Sequence, residues 1–477
     1  MRDVIIVGGG IVGTSLAREL SKYQLDVLLL EKNIEVSQET TKANTAIAHG
    51  GYDCEPGSLK AKLNVRGLEL MEELSKDLGF VFNKIGSLVL AFNDQEVGVL
   101  EELLERGRKN KVPNLQIIDK EEILKIEPKV SSEVMKALYC PQAGVIDPFN
   151  FCYGMIENAI ENGVELRTET EVQGIDIEED KIIVKTNNSE FETRYLVNAA
   201  GLYADKIANM VGDEDFYIIP TKGVYRLLDK NKNYNINTVL FQTPNDDGKG
   251  VVVTSTYDGN TMLGPTSERI HFVEENTTEA DSLLKLDSLA KKSVPDVDLK
   301  NTIRVFTGVR AKPNTGDFMI YPSKHTKHVV HAAGIESPGL VSAPGIAEYV
   351  TELLKEQGLE LTKKDSFNPI RKEIKRISLL SNEDKIKAIE ENPNYGNVIC
   401  RCETVSEAEI IEAIRRPAGA RTIDGVKRRV RAGMGRCQGG FCGPRVLEIL
   451  ARELNIDPID VKKETSGSEI VSRHLKA

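Results

Sequence analysis

The chain has 477 residues, 40% of them hydrophobic and 28% charged, with a formal net charge of −11 and a mean hydropathy of −0.28. This length exceeds one ordinary core and predicts two or three domains, while the acidic balance excludes general nucleic-acid binding. No apolar run approaches the roughly 18 residues that span a bilayer, so a cytoplasmic protein without a transmembrane segment is expected.

Residues 4–8 are a β-branched run and predict a buried strand. They end in a glycine loop with no small-residue cleavage site, which argues against a signal peptide. Residues 11–23 have helical periodicity, and 26–30 form a second strand ending at Glu31. In this βαβ unit Gly8, Gly10 and Gly13 are spaced so that backbone N–H groups face a pyrophosphate at a helix N-terminus. Glu31 stands where a carboxylate bonds ribose hydroxyls. The motif alone does not separate NAD from FAD.

Further along, 60–78, 94–110 and 150–162 read as amphipathic helices, the last following Asp147-Pro148. Strand-like runs between 181 and 199 lead into Asn198-Ala-Ala-Gly201. Residues 216–265 alternate apolar and polar around turn signals such as Asp258-Gly259-Asn260, which predicts antiparallel strands. A helix is expected over 278–292, and strand-glycine segments over 305–310 and 329–334. Residues 355–395 are lysine-rich and read as a connecting segment with short helices. A cysteine-bearing module follows from about 396.

Four of the seven cysteines form two tight pairs, Cys400 with Cys402 and Cys437 with Cys442, separated by 34 residues. In a cytosolic chain such pairs bind metal or do redox chemistry more often than they form structural disulfides. Zinc and iron–sulfur clusters both accept four thiolates, and spacing alone leans slightly to zinc. Cys54, Cys140 and Cys152 are scattered and read as buried small hydrophobes.

The glycine motif, the stretch Thr40-Thr-Lys-Ala-Asn-Thr45-Ala-Ile-Ala-His49-Gly-Gly51, the stretch Asn198–Asp205 and the stretch Ala333–Leu340 together resemble the D-amino-acid oxidase-like superfamily of FAD enzymes. The nearest branch is that of glycerol-3-phosphate dehydrogenase and L-2-hydroxyglutarate oxidase, and the resemblance covers roughly residues 1–350. It implies that Gly8, Gly10, Ile11, Val12, Gly13, Glu31 and Lys32 hold the ADP half of FAD. Thr41, Asn44, Thr45 and Ala46 would line the flavin, with Val172 at the adenine. Ala200, Gly201 and Asp205 would serve the pyrophosphate side, and Gly308, Gly334, Ile335, Gly339 and Leu340 the isoalloxazine. The stretch 425–444 resembles the [2Fe-2S] domain of bacterioferritin-associated ferredoxin, which makes Cys400, Cys402, Cys437 and Cys442 the cluster ligands. Arg428, Arg429, Arg431 and Arg436 then have three readings: partners of a negatively charged cluster, a solvated basic face, or a dock for an acidic partner.

The fold class implied is α/β, α+β overall: a Rossmann-like FAD domain, an antiparallel-sheet substrate domain and a small [2Fe-2S] module. The division is 1–85, 143–215 and 305–355 for FAD, 86–142 and 216–304 for substrate, 356–395 as linker and 396–477 for the cluster. Hydride leaving a carbinol carbon requires a base for the hydroxyl proton, and the resemblance puts His49 at the flavin face. Packing or flavin orientation is the competing role for it. His271, His325, His328, His331 and His474 carry no comparable motif. Arg310 resembles the arginine that grips a substrate anion, a planar fork suited to phosphate or carboxylate. Lys222, Tyr225 and Thr254, with Thr256, are further candidates for the substrate pocket. The expected substrate is glycerol 3-phosphate, with 2-hydroxyglutarate or a secondary amine such as proline as alternatives. A non-catalytic electron-transfer subunit is a reading from another class. Electrons would leave through the cluster to an NADH- or quinone-linked flavoprotein subunit.

Overall fold

The computed structural model describes residues 1–230, 235–244 and 250–473. His474, a sequence-stretch expectation of no special role, lies outside them, as do 231–234 and 245–249 of the expected strand region.

The β-branched run at the N-terminus forms the strand Arg2–Val7, buried from Val4 onward. It pairs in parallel with Val27–Leu30 on one side and Glu190–Asn198 on the other. Val27–Leu30 pairs onward with Glu165–Arg167. The long strand Glu190–Asn198 pairs its first half with Ile182–Thr186 and its last residues with Val329–Ala333. A strand buried on both faces needs apolar side chains at consecutive positions, and the Val27–Leu30 run Val-Leu-Leu-Leu supplies them. The helix Ile11–Leu20 packs against both Pro148–Glu161 and Gly339–Glu356 beside this sheet.

A second sheet runs, in spatial order, Glu268–Arg269, Ile218–Leu228, Thr261–Leu263, Val253–Ser255, Val239–Gln242, Ser87–Ala91, Lys136–Cys140, Gln116–Asp119. Gly259, at φ 93°, turns the chain between Val253–Ser255 and Thr261–Leu263, as the Asp-Gly-Asn signal predicts. The sheet is mostly antiparallel, but Val239–Gln242 lies parallel to Ser87–Ala91. Those two strands come from separate passages of the chain and no hairpin joins them, so nothing forces an antiparallel pairing. The strand Thr302–Pro313 pairs with Ile218–Leu228 along its whole length. Its residues 305–313, grouped above with the FAD domain, therefore belong by hydrogen bonding to this second sheet.

After Gly339–Glu356 the chain runs mostly extended to a helix at Asn382–Glu391. The module beyond it has its own apolar core, including Ile399, Ile410, Val426 and Leu450. A hairpin of Val398–Cys400 and Val405–Ser406 precedes three helices, Glu407–Arg415, Ile423–Val430 and Gly443–Leu454. The first begins with a reciprocal capping box between Ser406 and Glu409, which satisfies two otherwise unpaired amides.

Candidate active site and cluster site

The turn after Arg2–Val7 brings Gly10 to the N-cap of Ile11–Leu20 with no side-chain cap and no acidic residue in the first turn. Gly13 is required by contact: a Cβ there would lie 1.9 Å from the Gly8 carbonyl oxygen. Glu31 at the end of Val27–Leu30 is buried and accepts the Gly9 N–H at 2.7 Å and the Asn33 N–H at 2.8 Å. Burial raises its carboxyl above the usual range. These residues open on a cavity of about 400 Å³ that reaches Lys32, Val172, Ala200 and Gly201. Lys32 sits 3.6 Å over the Tyr203 ring.

A second cavity, of about 150 Å³, shares Gly10, Thr40, Thr41, Ala199 and Gly201 with the first, so the two form one bent channel. Its walls include Asn44, Thr45, Ala46, Ile335, Gly339 and Leu340. Gly308 does not line it but packs on the 40–46 loop from the second sheet, where a Cβ would meet the Ala43 carbonyl oxygen at 2.0 Å. Asn44 braces the 40–46 loop, donating to the Thr41 carbonyl at 2.9 Å and accepting the Ala46 N–H at 2.8 Å. An uncapped helix start at one end, a buried carboxylate beside it and a narrow slot beyond fit a dinucleotide with a flat ring system.

His49, Tyr225, Arg310 and Ser337 all line the slot. His49 Nε2 lies 3.3 Å from Ser337 Oγ, and its ring sits 5.6 Å from that of Phe241. The Tyr225 ring stacks on Phe306 at 4.7 Å. Its hydroxyl bonds with Thr45 and Arg310, and burial raises its pKa. Arg310 Nη2 donates to the Thr266 carbonyl at 3.1 Å. Among the described residues Arg310 has no carboxylate partner, unlike most cations of this chain.

Other expected residues lie elsewhere. Lys222 is buried and paired with Glu279 at 2.9 Å and Glu268 at 3.5 Å, so its charge is already matched. Thr254 is buried and donates to the Ser255 carbonyl at 3.0 Å. Asp205 accepts the Ile218 N–H at 2.9 Å and ties the first sheet's connection to the second sheet. Gly334, at φ 63°, packs its backbone on Pro313. His331 is fully buried between Asp213, at 2.8 Å, and Asn198. Sequence reasoning missed Ser337 as a partner of His49, although it stands inside the Ala333–Leu340 stretch.

In the C-terminal module, Cys400 closes a strand, Cys402 sits in the hairpin turn, Cys437 lies in a loop and Cys442 caps Gly443–Leu454. The thiols approach in two pairs: Cys402 with Cys437 at 3.5 Å, and Cys400 hydrogen-bonded to Cys442. The hydrogen bond between the two thiols lowers the Cys400 pKa and raises that of Cys442. Among the described residues no three metal-ligating side chains converge on one ion position. Four thiols arranged as two pairs would suit a two-iron cluster better than a single tetrahedral ion. Cys400 and Cys442 are buried, Cys402 is exposed, and Phe441 beside them is 86% exposed.

Arg428, Arg429 and Arg431 are buried in ion pairs and so are not a solvated basic face, while Arg436 is exposed. Arg429 bonds Glu35 at 2.6 Å with both side chains 1% exposed, and its guanidinium lies 3.8 Å over the Tyr153 ring. Glu35 also accepts from the Arg421 N–H at 2.9 Å and the Thr422 hydroxyl at 2.8 Å. Burial alone would raise its carboxyl, but Arg429 and Arg428 outweigh that and lower it. Arg431 pairs with Asp258 and, at 2.8 Å, with Glu403. Arg436 reaches Asp229 at 3.1 Å. Arg416 and Arg371 converge on buried Glu157 at 3.0 and 2.6 Å. These side chains clamp the module onto both sheets; the acidic dock is within the same chain.

Residues 3–353 match the family described as FAD dependent oxidoreductase (DAO), and residues 398–452 match the BFD-like [2Fe-2S] binding domain. The glycerol 3-phosphate dehydrogenase of Caloramator mitchellensis is 45% identical over 477 residues, 100% of this chain and 99% of that protein. The glycerol 3-phosphate oxidase of Mycoplasma genitalium is 38% identical over 378 residues, 77% of this chain and 97% of that protein. The dithionite-reduced L-alpha-glycerophosphate oxidase of Mycoplasma pneumoniae, solved with FAD bound, is 35% identical with a TM-score of 0.74, covering 78% of this chain and 98% of that one. The human mitochondrial L-2-hydroxyglutarate dehydrogenase is 33% identical over 282 residues, 56% of this chain and 60% of that protein.

Proposed function

From a chain that belongs to the FAD-dependent oxidoreductase (DAO) family and carries a C-terminal [2Fe-2S] binding domain, we propose a dehydrogenase that oxidises sn-glycerol 3-phosphate to dihydroxyacetone phosphate. The observation that carries this reading is the convergence of His49 and Arg310 on one slot, Arg310 having no carboxylate partner among the described residues. Bound FAD supplies the hydride acceptor, and the cluster supplies a single-electron outlet.

The chain's own part is binding, orientation and proton handling. Arg310, held by the Thr266 carbonyl and the Tyr225 hydroxyl, offers its remaining N–H groups to the substrate phosphate. That grip sets the carbinol carbon against the ring slot. His49 takes the hydroxyl proton, and Ser337 Oγ, 3.3 Å from its Nε2, is a polar neighbour of the imidazole. Phe241 beside the His49 ring and Phe306 stacked on Tyr225 back these two side chains with apolar surface.

The division of the chain supports a dehydrogenase over an oxidase. The dehydrogenase relative matches the chain from end to end, whereas the Mycoplasma genitalium oxidase is spanned almost completely by 77% of it. The extra length is the cluster module, an exit for electrons that does not need oxygen. The exposed Cys402 and Phe441 support transfer to a protein partner, an NADH- or quinone-linked flavoprotein subunit. Two metal-binding cysteine pairs and three scattered buried thiols agree with a reducing, cytoplasmic setting. Among the described residues no helix is long and apolar enough to cross a membrane.

The test is an anaerobic panel of glycerol 3-phosphate, 2-hydroxyglutarate and proline, followed by flavin absorbance. Bleaching by glycerol 3-phosphate at the lowest concentration is expected. Faster bleaching by either other compound overturns the substrate assignment, and no bleaching by any of them favours an electron-transfer subunit.

A further inference from the structure

Between the cluster module and the 40–46 loop lies a separate cavity of about 350 Å³. It shares Ala43, Asn44 and Ala46 with the flavin slot as a common wall, but neither His49 nor Arg310 lines it. Phe149, Leu227, Met262 and Phe306 give it an apolar side. Its other side is charged, with five cations against three carboxylates.

The pairings leave two cations over. Glu464 takes Lys42 at 2.8 Å and Arg428 at 2.7 Å. Asp258 takes Arg431, and Asp424 takes Lys463 at 2.8 Å. Arg304 and Lys427 form no ion pair or side-chain hydrogen bond among the described residues, although both face this cavity. Arg304 comes from the second sheet and Lys427 from the module helix Ile423–Val430. Burial, and then the neighbouring Arg304, bring the Lys427 ammonium down to about 8, outweighing the opposite pull of Asp424. Arg304 and Lys427 thus leave two unpaired positive charges, and a phosphomonoester carries nearly two negative charges at neutral pH.

We propose that this cavity is a second anion site, in which Arg304 and Lys427 hold a small phosphomonoester whose organic part rests on Phe306 and Leu227. It is distinct from the substrate slot and does not rest on the substrate assigned above. An occupant would bridge the second sheet to the cluster module beside the flavin loop, and so would fasten the module in place.

Calorimetric titration of the FAD- and cluster-loaded Arg310→Ala protein with phenyl phosphate and with inorganic phosphate tests it. Removing Arg310 weakens the substrate slot roughly ten- to hundredfold, so the second site is the one that fills at low ligand concentration. One site per chain is expected, weakened roughly ten- to hundredfold by Lys427→Met or by Arg304→Met, the loss of one charged hydrogen bond in each case. Lys427→Arg should restore affinity, and flavin and cluster absorbance report that each variant is folded. Tighter binding of phenyl phosphate identifies an organic ester as the occupant; equal binding identifies free phosphate at the same site. Thermal loss of the cluster absorbance should shift upward with the bound anion in the Arg310→Ala protein and not in the Lys427→Met derivative. Unchanged affinity in both methionine variants would mean an adventitious ion only, and would overturn the proposal. So would the absence of any site in Arg310→Ala, or loss of flavin reduction by glycerol 3-phosphate in Lys427→Met with an intact Arg310, which would make this cavity the substrate slot.

Discussion

The flavin channel and the cluster site hold their redox groups in opposite ways. The channel is built from stretches spanning Val7 to Leu340 and is walled by both sheets. The four thiols come from positions 400–442 of a module with its own core. Hydride transfer needs a dry slot in which His49 and Arg310 face the same small volume, so several elements must close around it. Single-electron transfer needs proximity and an accessible edge, which Cys402 and Phe441 supply. The two regions are then coupled by buried ion pairs, Glu35 with Arg429 and Glu157 with Arg416. Chemistry at one and exit at the other can therefore be separated by mutation.

The largest separation is expected from Cys437→Ser. One iron ligand is lost, the cluster signal disappears, and turnover with a distal acceptor falls to background, while substrate still bleaches the flavin. Loss of flavin bleaching in a folded, FAD-loaded variant would show that the two regions are not in series. The converse substitution, His49→Asn, should slow flavin bleaching by roughly 10²–10⁴-fold, the usual contribution of a general base, and remove the imidazole's limb from the pH profile. The cluster spectrum should be untouched. Parent rates at every pH would reduce His49 to a packing residue.

Glu35→Ala attacks the coupling itself. It leaves the Arg429 guanidinium buried and unmatched and also removes the acceptor of the Arg421 and Thr422 donors. Breaking a buried pair in this way costs about 3–5 kcal/mol. Urea unfolding monitored by flavin fluorescence and by cluster absorbance should give two transitions, with the cluster signal lost first. A single transition at the parent midpoint would show that the clamp is not what holds the module.

The contrast also sets what was legible in the sequence. Cys400, Cys402, Cys437 and Cys442 stand out because their site is nearly contiguous. Gly13 and Gly308 mark places where backbone meets backbone, and only glycine fits. The helix bounds of Leu59–Leu78 and Asp94–Lys109 follow apolar periodicity to within one residue. By contrast, Lys222 carries the charge that suits a substrate anion, yet Glu268 and Glu279, which satisfy it, lie 46 and 57 residues away. The roles of Arg428, Arg429 and Arg431 were hidden in the same way. Glu35 stands 394 positions from Arg429, and no local pattern announces an ion pair that only the docked module creates.

Within the channel, Arg310→Ala should weaken binding without touching the proton acceptor. Loss of charged hydrogen bonds at about 1.5–3 kcal/mol predicts a roughly ten- to hundredfold rise in the dissociation constant of glycerol 3-phosphate. Flavin bleaching at saturating substrate should stay much nearer the parent rate than in His49→Asn. If Arg310→Ala lowers the saturated rate as much as His49→Asn does, the guanidinium acts in the transition state and not only in binding.

The smallest effect concerns the outer coupling through Glu464. Burial would raise its carboxyl, but Arg428 and Lys42 outweigh that and hold it at about 2, against an ordinary value of 4.5. A folded-state pKa below the unfolded one contributes stability that is complete above the unfolded value and is lost as pH falls through the folded one. The pair is partly open to solvent, with the Glu464 and Lys42 side chains each 27% exposed, so screening trims its contribution to about 1 kcal/mol. Glu464→Gln should therefore lower the stability of module attachment by that amount at pH 7. The gap from the parent should stay constant down to about pH 5.5 and narrow towards pH 3.5, as the parent's unfolded carboxyl protonates ahead of the folded one. Paired urea titrations of cluster absorbance at those three pH values measure it. A gap that widened on acidification would mean that Glu464 is protonated in the folded protein, and that Lys42 and Arg428 fasten the module through some other acceptor.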